Sequence, residues 1–176
     1  PNLNLIRPAD IVETAEAWDV ALKTNGPTVL ALSRQGLKGY RSEKTNKNLV
    51  SNGGYILNNI SKDRDITLIA TGSEIEIAME ASEIMYEENI KATVVSLPCW
   101  ELFDKQDEEY KNQVLGNCPR IAIEAASEMG WSKYIGEKGI FIGMKSFGAS
   151  GPASDLYNHF NITSKTIIDS AKLLLK

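Results

Sequence analysis

The sequence predicts an α/β fold, a three-layer sandwich in which helices cover both faces of a mostly parallel, mixed sheet. Three observations carry this. Short apolar runs at 66–70 (ITLIA), 91–97 (KATVVSL) and 120–124 (RIAIE) have the length and composition of strands buried on both faces. Segments of helical periodicity alternate with them, the order that builds parallel β-α-β units. Turn-forming residues punctuate the junctions, as at Asn25-Gly26-Pro27 and Thr71-Gly72-Ser73.

Along the chain, residues 10–23 read as a helix. Asp10 is placed to cap it, Glu13 stands three residues on as in a capping box, and Ile11, Thr14, Ala15, Trp18, Ala21 and Leu22 recur at helical spacing. Residues 28–32 (TVLAL) predict a strand buried on both faces, with Ser33-Arg34-Gln35 at its carboxyl end. The stretch 36–52 is polar, basic and without apolar periodicity, so it reads as a linker and marks the main boundary. A new block opens at 54–57. After the strand 66–70, Ser73 precedes Glu76 by three residues, a capping-box spacing. The helix 74–88 then sets Ile75, Ala78, Met79, Ser82 and Met85 along one stripe. Strand 91–97 ends at Pro98, a polar helix follows at 107–115, and strands are expected at 120–124 and 139–142. Helices at 155–160 and 163–175 close the chain, the last carrying Ile167, Ile168, Ala171, Leu174 and Leu175.

Composition narrows the function. The chain has 176 residues, a formal net charge of −4 and a pI near 5.1, which argues against a binder of nucleic-acid backbone. No apolar run approaches the roughly 18 residues of a membrane span. The opening residues lack the basic-then-apolar layout of a secretion signal, so a cytoplasmic location is expected. Two cysteines, Cys99 and Cys118, make no disulfide scaffold, and with the single His159 they lack metal-ligand spacing.

In a parallel α/β sheet, ligands sit beyond the carboxyl ends of the strands. That singles out Ser33-Arg34-Gln35, Thr71-Gly72-Ser73-Glu74 and Glu124-Ala125-Ala126. Arg34 offers a permanently charged planar fork for a phosphate or carboxylate; its plain alternative is an ion pair with a nearby acid. Thr71 to Glu74 lacks the further glycines or lysine of a phosphate loop, and Glu74 would repel an anion, so helix capping by Ser73 is the better account. Glu124 suits either acid–base work in a buried setting or pairing with an arginine. His159 has no evident Ser or Cys partner and reads as a surface or packing residue. Cys99 has no cation beside it and reads as a packed, unreactive thiol. Asn161-Ile162-Thr163 fits a glycosylation pattern, which means nothing without secretion. The run from Phe147 to Pro152 is a turn before a helix, either an interface loop or a simple connection. These residues alone amount to a fold and one well-placed cation, without a complete catalytic set.

Taken in order, several segments resemble the carboxyl-terminal part of transketolase. They are Pro1-Asn2 with Ile6-Arg7-Pro8-Ala9-Asp10, then Glu13, Ala17-Trp18, Leu32-Ser33-Arg34-Gln35 and Gly53-Gly54-Tyr55. Ile69 to Glu74, Val94 to Pro98, Phe103-Asp104-Lys105-Gln106, Gly130-Trp131-Ser132-Lys133-Tyr134 and Phe147-Gly148-Ala149-Ser150 continue the series over essentially the whole chain. The resemblance implies an enzyme that moves a two-carbon ketol unit from a ketose phosphate to an aldose phosphate, with thiamine diphosphate and a divalent metal, magnesium or calcium. It implies a homodimer with three α/β domains per subunit. Residues 1–37 would then be the tail of the pyrimidine-binding domain, 38–53 a linker and 54–176 the carboxyl-terminal domain. Arg34 corresponds to the family arginine that contacts the substrate's sugar phosphate. The catalytic, cofactor and metal residues of the family would lie in a missing amino-terminal portion, so this fragment is expected to bind no cofactor and to be inactive alone. Ser150-Gly151-Pro152 and Phe160-Asn161 depart from the family's Ser-Ala-Pro and Phe-Gly, which touches loop shape only. Other readings are the second subunit of a split transketolase, a dihydroxyacetone synthase, and a non-catalytic α/β dimerisation or binding module.

Overall fold

The computed structural model describes residues 2–41, 47–58 and 63–176. Strands β1 (Asn4–Ile6) and β2 (Thr28–Leu30) form a two-stranded parallel sheet, joined through helix α1 (Ile11–Lys23). A second sheet contains β3 (Tyr55–Ile56), β4 (Ile66–Ala70), β5 (Ala92–Ser96), β6 (Arg120–Glu124) and β7 (Ile140–Gly143). Its order is β3-β5-β4-β6-β7, with β3 antiparallel at one edge and every other pairing parallel. This is the mixed, mostly parallel sheet that the alternation of strands and helices predicts.

Two apolar layers explain why the central strands have no polar side. Ile66, Leu68 and Ala70 of β4 pack with helix α2 (Glu74–Glu87) and helix α7 (Ser164–Leu174), through Ile75, Ala78, Met85, Ile167 and Ala171. Ile69, Val95 and Ala122 face the other way, onto Phe103 of α3 (Trp100–Phe103), Leu115 of α4 (Glu108–Leu115) and Tyr134 of α5 (Ser132–Ile135). Helix α6 (Ala153–His159) lies near the carboxyl ends of the strands and lends Tyr157 to the first layer. Gly53, at φ +79°, starts the entry to β3 where a side chain could not fit: a Cβ would stand 2.1 Å from the Phe103 nitrogen.

Three expectations need correction. The stripe Ile11, Ala15, Trp18 and Leu22 of α1 faces solvent, while Glu13, Ala17 and Val20 are buried. Polar docking sets this orientation. Glu13 accepts from Tyr55 Oη at 2.7 Å and Ser96 Oγ at 2.5 Å, and Glu16 takes the Arg41 guanidinium at 2.8 and 2.6 Å. Strand β2 is shorter than predicted and is not buried on both faces; Val29 and Leu32 are about half exposed. Its sheet has only one other strand, so no second layer covers it. The described part of the predicted linker is no free tether: Val50 is fully buried with Ala17 and Val20, and Leu49 and Val50 donate backbone N–H groups to Glu16. Residues 42–46 of that linker, and Pro1 of the resemblance, lie outside the described residues.

Candidate functional site

Strands β4, β5, β6 and β7 all end on the same side of the sheet, and the N-terminal unit is fastened there. Arg7, one residue past β1, donates its N–H to the Pro98 carbonyl at 2.9 Å; its own carbonyl accepts from Gly72 N at 3.1 Å and Thr71 Oγ1 at 3.0 Å. The Arg7 guanidinium pairs with Glu124 at the end of β6 and sits 5.1 Å over the Trp100 ring. Glu124 also accepts from Trp131 Nε1 at 2.7 Å. Glu124 therefore realises the ion-pair alternative rather than a free acid or base.

The turn after β4 behaves differently from its motif. Ser73 has helical dihedrals, φ −63° and ψ −24°, and makes no side-chain cap. Gly72, at φ +56°, has already turned the chain, so Ser73 cannot adopt the extended conformation a capping residue needs. Its hydroxyl instead donates to Glu74 Oε1 at 2.9 Å, and Tyr157 Oη donates to the same oxygen at 2.5 Å. Glu74 is buried, and desolvation raises its pKa above the ordinary 4.5 despite these bonds. Burial and the adjacent Glu74 raise the Tyr157 hydroxyl as well.

Of the three places expected at strand ends, two meet directly, since Glu74 takes a backbone bond from Ala125. The third comes beside them through Gln35: Gln35, Ala125, Met144, Gly148, Ala149 and Tyr157 help line a largely apolar cavity of about 200 Å³. Arg34 is exposed at a bend after β2 and has no hydrogen-bond or ion-pair partner among the described residues. Its guanidinium is thus available to a ligand rather than spent on an acid. His159 is exposed against Phe160, with ring centroids 4.7 Å apart, and no nucleophile among the described residues pairs with it. Cys99 is fully buried, and desolvation pushes its thiol up to about 12, which keeps it protonated and inert. The loop from Phe147 to Pro152 is exposed, and Pro152 precedes α6 as its cap rather than sitting in the first turn.

Sequence reasoning gave no site role to Arg7 or Tyr157 and read Glu13 only as a capping-box residue. A faint signal existed for the first: Arg7 follows an apolar strand end just as Arg34 does. Arg7 and Tyr157 pair with residues more than 80 positions away, and the Tyr55 and Ser96 donors to Glu13 lie more than 40 away, beyond any local pattern. Chemically, the buried carboxylates are occupied by internal donors, so they brace the fold among the described residues. Among the described residues, no group of three or more His, Cys, Asp or Glu is placed to hold a metal ion. The helix start that follows β4 presents the Glu74 carboxylate, which disfavours a metal-bound diphosphate at that turn.

No helix among the described residues is long and apolar enough to cross a membrane. Residues 53–163 match the family described as the transketolase-like TK C-terminal domain. The chain is 53% identical over 178 residues to a transketolase of Sinorhizobium medicae, covering 100% of this chain and 26% of that protein. It is 46% identical to the chloroplastic transketolase-1 of Arabidopsis thaliana, covering 98% of this chain and 24% of that one. The solved transketolase of Leishmania mexicana superposes with a TM-score of 0.88 at 38% identity, over 99% of this chain and 25% of that structure. The chain thus spans about a quarter of the length of the relatives it matches.

Proposed function

Since the chain belongs to the transketolase family, we propose that it is the carboxyl-terminal part of an enzyme that transfers a two-carbon ketol unit from a ketose phosphate to an aldose phosphate. In this reading residues 1–37 end the pyrimidine-binding domain, 38–53 link, and 54–176 form the carboxyl-terminal domain; the family match that starts at residue 53 supports the division. Relatives at 53% and 46% identity carry the matching region within much longer chains, which supports a single polypeptide over a split one. In this reading thiamine diphosphate and the divalent metal are held by the remainder of the parent, as membership of the family implies. The parent acts as a homodimer in the cytoplasm, although the Arabidopsis relative is chloroplastic.

The observation that carries the reading is Arg34, an exposed guanidinium just beyond the carboxyl end of β2 with no partner among the described residues. A fixed cation there holds the remote phosphate of a sugar through charge-assisted bonds, which orients the reacting carbonyl and adds binding energy. The remaining residues at the strand ends brace it: Arg7 and Glu124 lock the N-terminal unit, and with it the β2 bend, onto the five-stranded sheet.

The test is Arg34→Ala in the full-length enzyme. KM for phosphorylated sugars should rise about 10-fold or more, the scale of losing roughly 1.5–3 kcal/mol in a charge-assisted contact. An unchanged KM would remove the phosphate role and favour a non-catalytic module. The 176-residue chain alone should show no turnover with ketose and aldose phosphates, thiamine diphosphate and magnesium. Robust activity of the chain alone would overturn the assignment of the chemistry to the remainder.

A further inference from the structure

A second cavity, of about 440 Å³, opens beside the outer edge of β7, between that strand and α7, and Arg34 does not line it. Its size falls within the range of small-molecule sites, about 300–1,000 Å³. The chain is acidic overall, yet no acidic residue lines this cavity. Lys145 and His159 stand in its wall with Asn161, Thr166 and Ser170. Thr166 and Ser170 are four residues apart on α7 and so share one side of the helix. The Lys145 ammonium, the Asn161 amide and the Ser170 hydroxyl have no partner among the described residues, so their donors are unspent.

An ammonium, an imidazole, hydroxyls and an amide suit an anion with several acceptor oxygens. No guanidinium lines the cavity, so the planar fork that grips a carboxylate is missing, whereas lysine serves phosphate as a point charge. Ile140, Ile142 and Phe160 add apolar wall, and the volume exceeds that of a bare oxyanion. We propose that this cavity binds a small organic phosphomonoester, with its phosphate toward Lys145, His159 and the α7 hydroxyls and its apolar part along β7 and Phe160. This second site neither uses nor requires the Arg34 contact.

Hydrogen exchange read by mass spectrometry on the full-length protein tests this, with phenyl phosphate, inorganic phosphate and phenol as probes. Phenyl phosphate should slow exchange in peptides covering 140–146 and 159–170, and phenol at equal concentration should not. Lys145 and His159 are exposed, so Lys145→Ala with His159→Ala leaves the fold intact and should raise the midpoint for protection about 10-fold or more. Ser170→Ala should raise it by a smaller factor. Arg34→Ala should leave this protection unchanged, which separates failure here from failure of the sugar-phosphate contact. No protection, equal protection by phenol, or midpoints unmoved by the substitutions would overturn the site. Equal protection by inorganic phosphate would overturn the organic class of ligand.

Discussion

Glu13 joins one buried carboxylate to three donors: the Ala9 N–H at 2.6 Å and the hydroxyls of Tyr55 and Ser96. Desolvation outweighs those bonds and raises its pKa above the ordinary 4.5, as it does for Glu74. A raised folded-state pKa means that the folded chain holds the proton more tightly than the unfolded chain. The contribution is therefore full below about pH 4.5 and is lost as pH rises through the folded value, opposite to a salt-bridged carboxylate. Urea unfolding should show stability declining as pH rises above about 4.5, and Glu13→Gln should flatten that decline. A slope identical to that of the native chain would refute the linkage. Glu13→Ala should cost about 2–4 kcal/mol, because it strands several buried donors. Arg7 presents the complementary case. Arg7→Ala leaves Glu124 buried without its cation and should cost about 3 kcal/mol, the low end for breaking a buried pair since Arg7 keeps some exposure. Arg7→Met with Glu124→Gln should recover part of that loss. If the double variant were no more stable than Arg7→Ala, the pair would not be the source.

Helix ends show which local signals can be trusted. Asp10 is extended, at φ −152°, and accepts from Glu13 N; Asp107 is extended and accepts from Tyr110 N at 2.7 Å. Asp107→Ala should therefore cost about 1 kcal/mol in thermal or urea unfolding. A change under about 0.3 kcal/mol would mean that α4 is held by tertiary packing alone. Ser73 has the same spacing to a glutamate as Asp10 but fails as a cap, because Gly72 brings it into the helix already turned. Strands β4 and β6 were legible to the residue, since both faces are apolar and turns bound them. Strand β1 was not, because three residues carry no period and its pairing register depends on β2, across α1. Helices α3 and α5 are four residues each and are held by packing among Trp100, Phe103, Trp131 and Tyr134 rather than by any helical pattern. At the site, Arg34 was legible as a cation after a strand. The Arg7–Glu124 pair that fastens the N-terminal unit was not, because 117 residues separate its members.

At the scale of the whole molecule, the unmet apolar face belongs to one unit. Ile11, Trp18 and Leu22 form a stripe on α1 whose members are 81%, 54% and 81% exposed, and Val29 and Leu32 on the neighbouring sheet are also open. A stripe at that spacing is the usual signature of a buried face, and the sequence pattern was right about its chemistry but wrong about what it meets in these residues. The five-stranded sheet, by contrast, closes its own core on both sides. In the proposed parent the remainder of the pyrimidine-binding domain covers the stripe, and this makes opposite demands on one substitution. In the 176-residue chain, Trp18→Ser should change unfolding free energy by less than about 0.5 kcal/mol, as for an exposed position. It should also weaken concentration-dependent self-association in sedimentation velocity, because it removes apolar area from the exposed patch. In the full-length enzyme the same change should cost about 3 kcal/mol or more, the scale of emptying a buried aromatic site. Equal and small effects in both would mean that the stripe stays exposed in the parent, and residues 1–37 would then not be the end of a domain completed by the rest of that chain.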